Sequence, residues 1–459
     1  MLGKTIQPEI RELIQKRELS ILKEVFEDWH PSELADLIND LPETERAIVF
    51  RILPKDKAAD TFEYLDIDTQ KEFLKGLAQE EVATILNEMS PDDRTALLEE
   101  LPGTVVKQLI ELLTPQERTI ATTLLGYPED SVGRLMSPDY IAVEKDWTVQ
   151  QVLNYIREHG KDIESFDMIY IVDEKGRLVD DIRLRDILLA NPNQKIFELS
   201  DGSFISLQVT DKKESVVPIF RQYDRTVLPV VNYEGFLLGI VTIDDVLDVI
   251  EESDTEDIQK FGGVAALEYP YVKTPLFQMI KKRAGWLVIL FIGEMLTATA
   301  MGYFEHEIAK AVVLALFVPL IISSGGNSGS QAATLIVRAL TLGELTVKDW
   351  WKVMRREIKS GLALGSILGA IGFLRITVWT LFTDIYGPHW PLIATTIFFA
   401  LVGVVTWGTF AGSMLPILLK KLGLDPAVSS APFVATIVDV TGIVIYFSVA
   451  SIILAGSLL

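Results

Sequence analysis

Pro432-Phe433-Val434-Ala435-Thr436-Ile437-Val438-Asp439-Val440-Thr441-Gly442 opens a long apolar stretch that runs to the end of the chain, with one carboxylate inside it. Proline suits the first turn of a helix, where its missing N–H is no loss. Asp439 lies seven residues further on, about 10 Å along the axis. Its small and partly polar neighbours suit a wet, close-packed helix interface. A charge inside a membrane is costly, so Asp439 is a functional candidate by default. The plainer alternative is an ion pair with a neighbouring helix.

Working outward, four more stretches can cross a bilayer core of ~30 Å, which needs ~20 helical residues. They run roughly 286–303, 308–337 (broken by glycines), 360–382 and 390–419, before the last at 433–459. Lys281, Lys282 and Arg283 precede the first span, and the link Phe304-Glu305-His306-Glu307 has no Lys or Arg. The next link carries Arg338, Lys348, Lys352, Arg355, Arg356 and Lys359, the turn 383–389 carries none, and Lys420 and Lys421 follow the fourth span. By the positive-inside rule the N-terminus is expected in the cytoplasm and the C-terminus outside, as an odd number of spans requires. Glu294 and Arg375 also fall inside spans, and a pair between them is expected.

Residues 271–459 hold 14 bases and 9 acids, which leaves 28 of the 42 bases and 55 of the 64 acids in residues 1–270. So acidic a segment makes nucleic acid an unsuitable partner. It repels itself unless cations collect on it, or else it simply serves solubility. Residues 1–30 are charged throughout and read as no signal peptide, so this part is expected to stay in the cytoplasm. The absence of cysteine excludes disulfides and thiolate sites, and the four histidines form no i, i+4 zinc pair.

Residues 30–125 repeat a helix-start signal at Pro31, Pro42, Pro54, Pro91, Pro102 and Pro115, each with polar or acidic residues behind it. Many of the spacings are 11–13 residues, which predicts short helices in series, as a solenoid-like stack or a plain bundle.

Residues 131–250 contain a duplication. Ile169-Tyr170-Ile171-Val172 aligns with Leu228-Pro229-Val230-Val231 at an offset of 59, as do Gly176 with Gly235 and Leu184–Leu188 with Ile243–Leu247. Asp146 matches Asp211 at an offset of 65, so the first copy carries six extra residues near His159–Ser165. The layout resembles a tandem pair of CBS domains. That resemblance implies a purine nucleotide, here ATP, at the Gly-x-x-Thr-x-x-Asp stretch of the second copy, with Gly239, Thr242, Asp244, Arg225 and Pro229 as binding residues. Arg225 stands where an aromatic is usual. In the first copy Asp180 and Arg183 replace the Gly and the Thr, so that copy is read as structural.

Residues 246–283 form a charged connector that starts among Asp244, Asp245, Asp248, Glu251, Glu252, Asp254, Glu256 and Asp257. Asp244/Asp248 and Asp248/Glu252 are like-charged i, i+4 pairs, which destabilise an isolated helix.

Helical stack, CBS pair, acidic connector and five spans together resemble the MgtE family of magnesium channels. Two motifs carry the resemblance: Pro319-Leu320-Ile321-Ile322-Ser323-Ser324-Gly325-Gly326-Asn327-Ser328-Gly329-Ser330-Gln331, and Leu424-Asp425-Pro426-Ala427 followed by Pro432 and Asp439. The implied fold is multidomain: an all-α solenoid-like N-terminal domain (1–130), an α/β CBS pair (131–250), a connecting plug helix (251–283) and an all-α transmembrane domain of five helices (284–459). The implied protein is a homodimeric Mg2+ channel of the cell inner membrane. Asp439 would be its pore carboxylate, with Ala435, Asn327, Gly325 and Gly326 lining the path. Mg2+ held by Asp93 with Asp245, Asp224 with Asp248, and Glu214 with Glu256 or Asp257 would close it. Ser253 stands where another connector acid is expected. The chemistry agrees, because Mg2+ keeps most of its water and is held through one or two carboxylates. The alternative is a coupled divalent-metal transporter or exporter that uses Glu294 and Asp439 as a relay. A nucleotide sensor with a membrane anchor needs no buried charge, and nothing in the sequence forms a nucleophile–base pair for an enzyme.

Overall fold

The computed structural model describes residues 2–267, 271–272 and 274–457, and the chain divides into two compact units, Met1–Glu251 and Glu252–Leu459.

The first unit opens with ten helices: α1 (Leu2–Lys16), α2 (Leu19–Glu27), α3 (Pro31–Asp40), α4 (Glu43–Ile52), α5 (Lys55–Glu63), α6 (Ile67–Gly76), α7 (Gln79–Glu88), α8 (Pro91–Glu99), α9 (Gly103–Leu112) and α10 (Pro115–Leu124). All six prolines singled out in the sequence sit at a helix start, as N-cap or first-turn residue. Helices pack on the next but one: α1 on α3, α3 on α5, α5 on α7, α7 on α9. That order is a solenoid, which separates it from a plain bundle. One apolar core, including Phe26, Phe50, Phe62 and Leu86, runs through the stack. Arg94 of α8 is fully buried. Its guanidinium donates to the Leu86 carbonyl at 2.9 Å and to Glu117 at 2.5 Å, tying α8 to α7 and α10.

After the short α11 (Val132–Leu135) come the two copies. The first is β1 (Ala142–Glu144), α12 (Val149–His159), β2 (Met168–Val172), β3 (Leu178–Arg183) and α13 (Leu184–Leu189). The second is β4 (Leu207–Gln208), α14 (Val216–Tyr223), β5 (Val227–Val231), β6 (Leu237–Thr242) and α15 (Ile243–Phe261). Each forms a three-stranded sheet with one parallel and one antiparallel pair. Ile171 pairs with Asp180 and Val230 with Gly239, and each ladder shifts register at the following residue. The offset of 59 is therefore kept down to the bulge. Gly176 and Gly235 both turn their hairpins at φ +83°, a conformation open to glycine. The hairpins exchange hydrogen bonds, Leu178 N–H to the Gly235 carbonyl at 2.9 Å and Leu237 N–H to the Gly176 carbonyl at 3.3 Å.

The acidic connector begins inside the second copy, because α15 is continuous from Ile243 and ends at Phe261. The remaining helices are α16 (Leu276–Tyr303), α17 (Glu305–Lys310), α18 (Val312–Ala315), α19 (Val318–Thr341), α20 (Trp350–Trp379), α21 (Trp390–Lys421) and α22 (Ala431–Leu454). Five segments among them are long and apolar enough to cross a membrane: Leu276–Tyr303, Val312–Thr341, Val347–Trp379, Trp390–Lys421 and Ala431–Leu454. The first starts ten residues before the apolar run begins, since Lys281-Lys282-Arg283 continue the same helix.

Glycines set the spacing of this unit. A Cβ on Gly408 of α21 would stand 2.4 Å from the Gly325 carbonyl oxygen of α19, and one on Gly412 would stand 2.1 Å from that of Gly329. On α20, a Cβ on Gly361, Gly365 or Gly369 would stand 2.7, 2.7 or 2.9 Å from Thr406, Val402 or Phe398 of α21. Small residues four apart let helix backbones touch. Gly412→Ala is expected to lower the unfolding free energy of the detergent-solubilised protein by about 1–3 kcal/mol, the usual cost of overpacking. Gly285→Ala, where a Cβ meets nothing within 4 Å, is expected to leave it unchanged. Equal denaturation midpoints for both variants would contradict this packing.

Candidate functional site

In the first unit, carboxylates from four parts of the chain converge. Asp92 and Asp93 stand in the first turn of α8, where the helix dipole favours negative charge. Glu63 ends α5 and accepts from Ser90 N–H at 2.8 Å, and Ser90 Oγ donates to Asp93 at 2.9 Å. Asp244, Asp245 and Asp248 open α15, with Thr242 Oγ1 donating to Asp245 at 2.8 Å and to Asp244. Glu164 comes from the segment that the first copy has in excess.

Their electrostatics are mutual. Burial and then the Asp93 charge push Glu63 up to about 8. Burial and Asp93 likewise raise Asp92 to about 7, and burial with Asp92 and Asp244 raises Glu164 to about 8. Asp245 lies well above the ordinary carboxylate range, through burial first and Asp92 next. Asp248 is raised by burial, Glu251 and Asp244. One oxygen of Asp92 is buried without a hydrogen-bond partner. Among the described residues no three carboxylates are close enough to form a ready-made metal cage.

The structure thus brings Asp93 and Asp245 together and adds Asp92, Glu63 and Glu164, which the sequence reading missed. Asp92 was visible beside Asp93, and Glu164 lies in the six-residue excess. Glu63 carries no local signal. Asp224 ends α14 in the left-handed region at φ +50°; the charges acting on Asp248 are Glu251 and Asp244. Glu214 lies in the turn Lys213–Ser215.

At the second-copy motif the geometry differs from expectation in two places. Gly239 leaves no room for a ligand on its Cα, since a Cβ there would stand 2.7 Å from the Ser137 carbonyl, which pairs with Ile240. Arg225 faces the first copy: its guanidinium lies 3.6 Å from Asp181 and reaches the Met168 sulfur. Pro229 is buried in β5. In the first copy Asp180 is fully buried and accepts from Ser200 Oγ and from Gly202 N–H at 3.0 Å.

In the second unit, Asp439 of α22 is partly exposed, beside Gly326 of α19 and within hydrogen-bond reach of Glu294 on α16. Glu294 is therefore not the partner of Arg375, whose guanidinium lies 5.5 Å over the Trp379 ring on its own helix. Gly325 is a packing residue and not an open one, because a Cβ would stand 2.5 Å from Val404 and 2.8 Å from Val438. Ala435 is partly exposed beside Gly326. Next to them α19 exposes Ser323, Asn327, Gln331, Thr334 and Arg338, a polar stripe at helical spacing on a helix whose other face is buried. At the start of this unit Lys260 joins Glu256 at 2.7 Å and Asp425 at 2.9 Å, and Trp286 Nε1 donates to Ser430 Oγ at 3.0 Å.

An acidic helical domain, a CBS pair and a domain of five apolar helices that carries Glu294 and Asp439 are the parts of an ion transporter. The family described as "Divalent cation transporter", MgtE, matches residues 318–449, its intracellular N domain matches 29–130, and CBS domains match 132–193 and 198–252. A Thermus thermophilus protein named "Magnesium transporter MgtE" is 38% identical over 97% of this chain and 98% of its own length. An Enterococcus faecalis protein of the same name is 31% identical over 72% of this chain and 70% of its own. The crystal structure described as the cytosolic domain of the Mg2+ channel MgtE in complex with ATP matches 53% of this chain and 99% of its own, at 38% identity and a TM-score of 0.51. The chain belongs to the MgtE family, and it is a multi-pass membrane protein.

The raised carboxyls fix the sign of a pH effect. A carboxyl whose folded value lies above its unfolded value of about 4.5 favours the folded state when protonated. Its contribution is present below the unfolded value and is lost as pH rises through the folded one. Without divalent ions, the melting temperature of the first unit in the full chain is expected to fall by about 5 °C between pH 5 and pH 8. Asp92→Asn should flatten that slope. A melting temperature constant over this range would contradict the cluster.

Proposed function

We propose that this chain is a Mg2+ channel of the cell membrane, formed between two copies and closed when cytoplasmic Mg2+ occupies its acidic sites. The polar stripe of α19 beside Asp439 carries the reading. Ser323, Asn327, Gln331 and Thr334 cannot face hydrocarbon cheaply, so this face meets water or a second copy. Two such faces brought together enclose a polar path with two Asp439 carboxylates, and Ala435 and Gly326 beside them. Mg2+ passes with most of its water retained, held weakly enough to leave. The N-terminus lies in the cytoplasm and the C-terminus outside.

Closure draws on the raised carboxylates of the first unit. Each close pair repels by ~1 kcal/mol in water and more near a protein surface. A divalent ion turns repulsion into attraction and draws Asp93 and Asp245 toward each other. Asp224 with Asp248, and Glu214 with Glu256 or Asp257, are the further sites proposed from the family resemblance. ATP is proposed at the second copy, held through Thr242 and Asp244. The ATP complex of the related cytosolic domain supports this, whereas the packing of Gly239 and Arg225 limits which groups take part.

The second reading, a coupled divalent-metal transporter, draws on one observation, the approach of Glu294 to Asp439, which suits a proton relay. Mg2+ current in proteoliposomes separates the two. A channel reverses at the Mg2+ equilibrium potential whatever the pH gradient; a proton-coupled carrier shifts with it. Asp439→Ala is expected to cut Mg2+ flux at least about tenfold with the folded oligomer retained. Wild-type flux in that variant would remove Asp439 from the path. Asp248→Asn is expected to raise the internal Mg2+ needed for closure roughly fivefold, the worth of ~1 kcal/mol. Unchanged inhibition would remove Asp248 from the gate.

A further inference from the structure

We propose that a groove formed by the start of α20 with α21 and α22 binds one anionic phospholipid, its phosphate held by Lys348 and Lys421. The groove is a cavity of about 650 Å3. Lys348 and Trp350 line it from the start of the third span and Lys421 from the end of the fourth, so these three share one side of the membrane. Ala411 and Met414 of α21 and Ile437 of α22 line its apolar length. Ala411 precedes Lys421 by ten residues, about 15 Å of helix, which is half of a ~30 Å core and so one leaflet.

The charges argue for an anionic headgroup. Lys420 is spent on the Leu340 carbonyl at 3.0 Å. Among the described residues neither Lys348 nor Lys421 makes an ion pair, and both are exposed. Trp350 is 48% exposed beside them, in the position of an interfacial anchor. A choline headgroup would place a third cation near two lysines, whereas a phosphate with no countercharge is attracted by both. The apolar length behind the lysines suits an acyl chain and gives a free phosphate nothing. An occupant there touches Ile437, two residues before Asp439, and so bears on the helix that carries that carboxylate.

The test is native mass spectrometry of the full-length protein, titrated with dioleoyl phosphatidylglycerol or dioleoyl phosphatidylcholine. One phosphatidylglycerol per chain should be retained, with phosphatidylcholine at least about tenfold weaker. Lys348→Gln with Lys421→Gln should weaken phosphatidylglycerol roughly thirtyfold, the worth of two lysines at an anionic headgroup. Ala411→Trp, which fills the groove without changing charge, should weaken it too, while Lys352→Gln should not. Equal retention of the two lipids, or undiminished phosphatidylglycerol in a folded double variant, would overturn the proposal. So would a wild-type dimer that retains no lipid and that Ala411→Trp dissociates, since a second copy would then fill the groove. If the double variant fails to fold, the lipid preference of the wild type and the Ala411→Trp result still decide.

Discussion

Two helix backbones touch where α19 crosses α21, and the membrane-spanning unit depends on that contact. The Gly325 and Gly329 carbonyls lie where side chains on Gly408 and Gly412 would stand. With no water to expel, association inside a bilayer comes from close packing, and backbones this close maximise it. The contact also fixes what else α19 can do. With Gly325 and Gly329 turned to α21 and α22, the opposite side of the helix presents Ser323, Asn327, Gln331 and Thr334. One glycine register thus sets both the buried face and the polar one.

The same register explains why Asp439 lies where it does. Gly326 takes α22 at Ala435 and Asp439 with ordinary contacts of 3.6 and 3.9 Å to its absent Cβ. On the other flank Gly293 of α16 meets Thr436 at 2.9 Å, which carries Glu294 toward Asp439. Trp407 Nε1 donates to Thr441 Oγ1 at 2.7 Å from α21 and holds α22 in rotation. The carboxylate is therefore positioned by glycines and one tryptophan, not by an opposite charge.

Much of this was legible in the sequence where a local rule acts alone. Proline at a first turn marked six helix starts, whereas α6 and α7 begin without one and went unread. The offset of 59 reached through to strand register because both copies obey the same pleat. The spacing Gly361, Gly365, Gly369 was visible as letters, yet only the facing helix turns it into a contact surface. Glu63 and Glu164 were beyond reach for a similar reason. They come from separate elements and meet Asp92 and Asp93 only through the stacking of the fold. Gly239 was read as a nucleotide-binding residue from the CBS resemblance, but a glycine makes room for whatever arrives, and here that is the Ser137 backbone.

Excess negative charge is met in two ways along the chain. At Lys260 a fixed ammonium spans Glu256 and Asp425. Burial pulls its value down, but the two hydrogen-bonded carboxylates outweigh this and hold it above the ordinary range. Such a counter-ion is part of the covalent chain, so its presence does not depend on the concentration of anything. At Asp245 the burial is comparable and at Asp92 deeper, and the buried Arg94 nearby is directed to Glu117 and the Leu86 carbonyl. Among the described residues no ion pair reaches those carboxylates, so protons or cations from solution are left to neutralise them. A site that borrows its counter-ion reports how much of it there is, whereas a site that carries its own cannot. That difference separates a structural ion pair such as that of Lys260 from a sensor, and it is the physical ground for the sensing role proposed for the α8–α15 carboxylates.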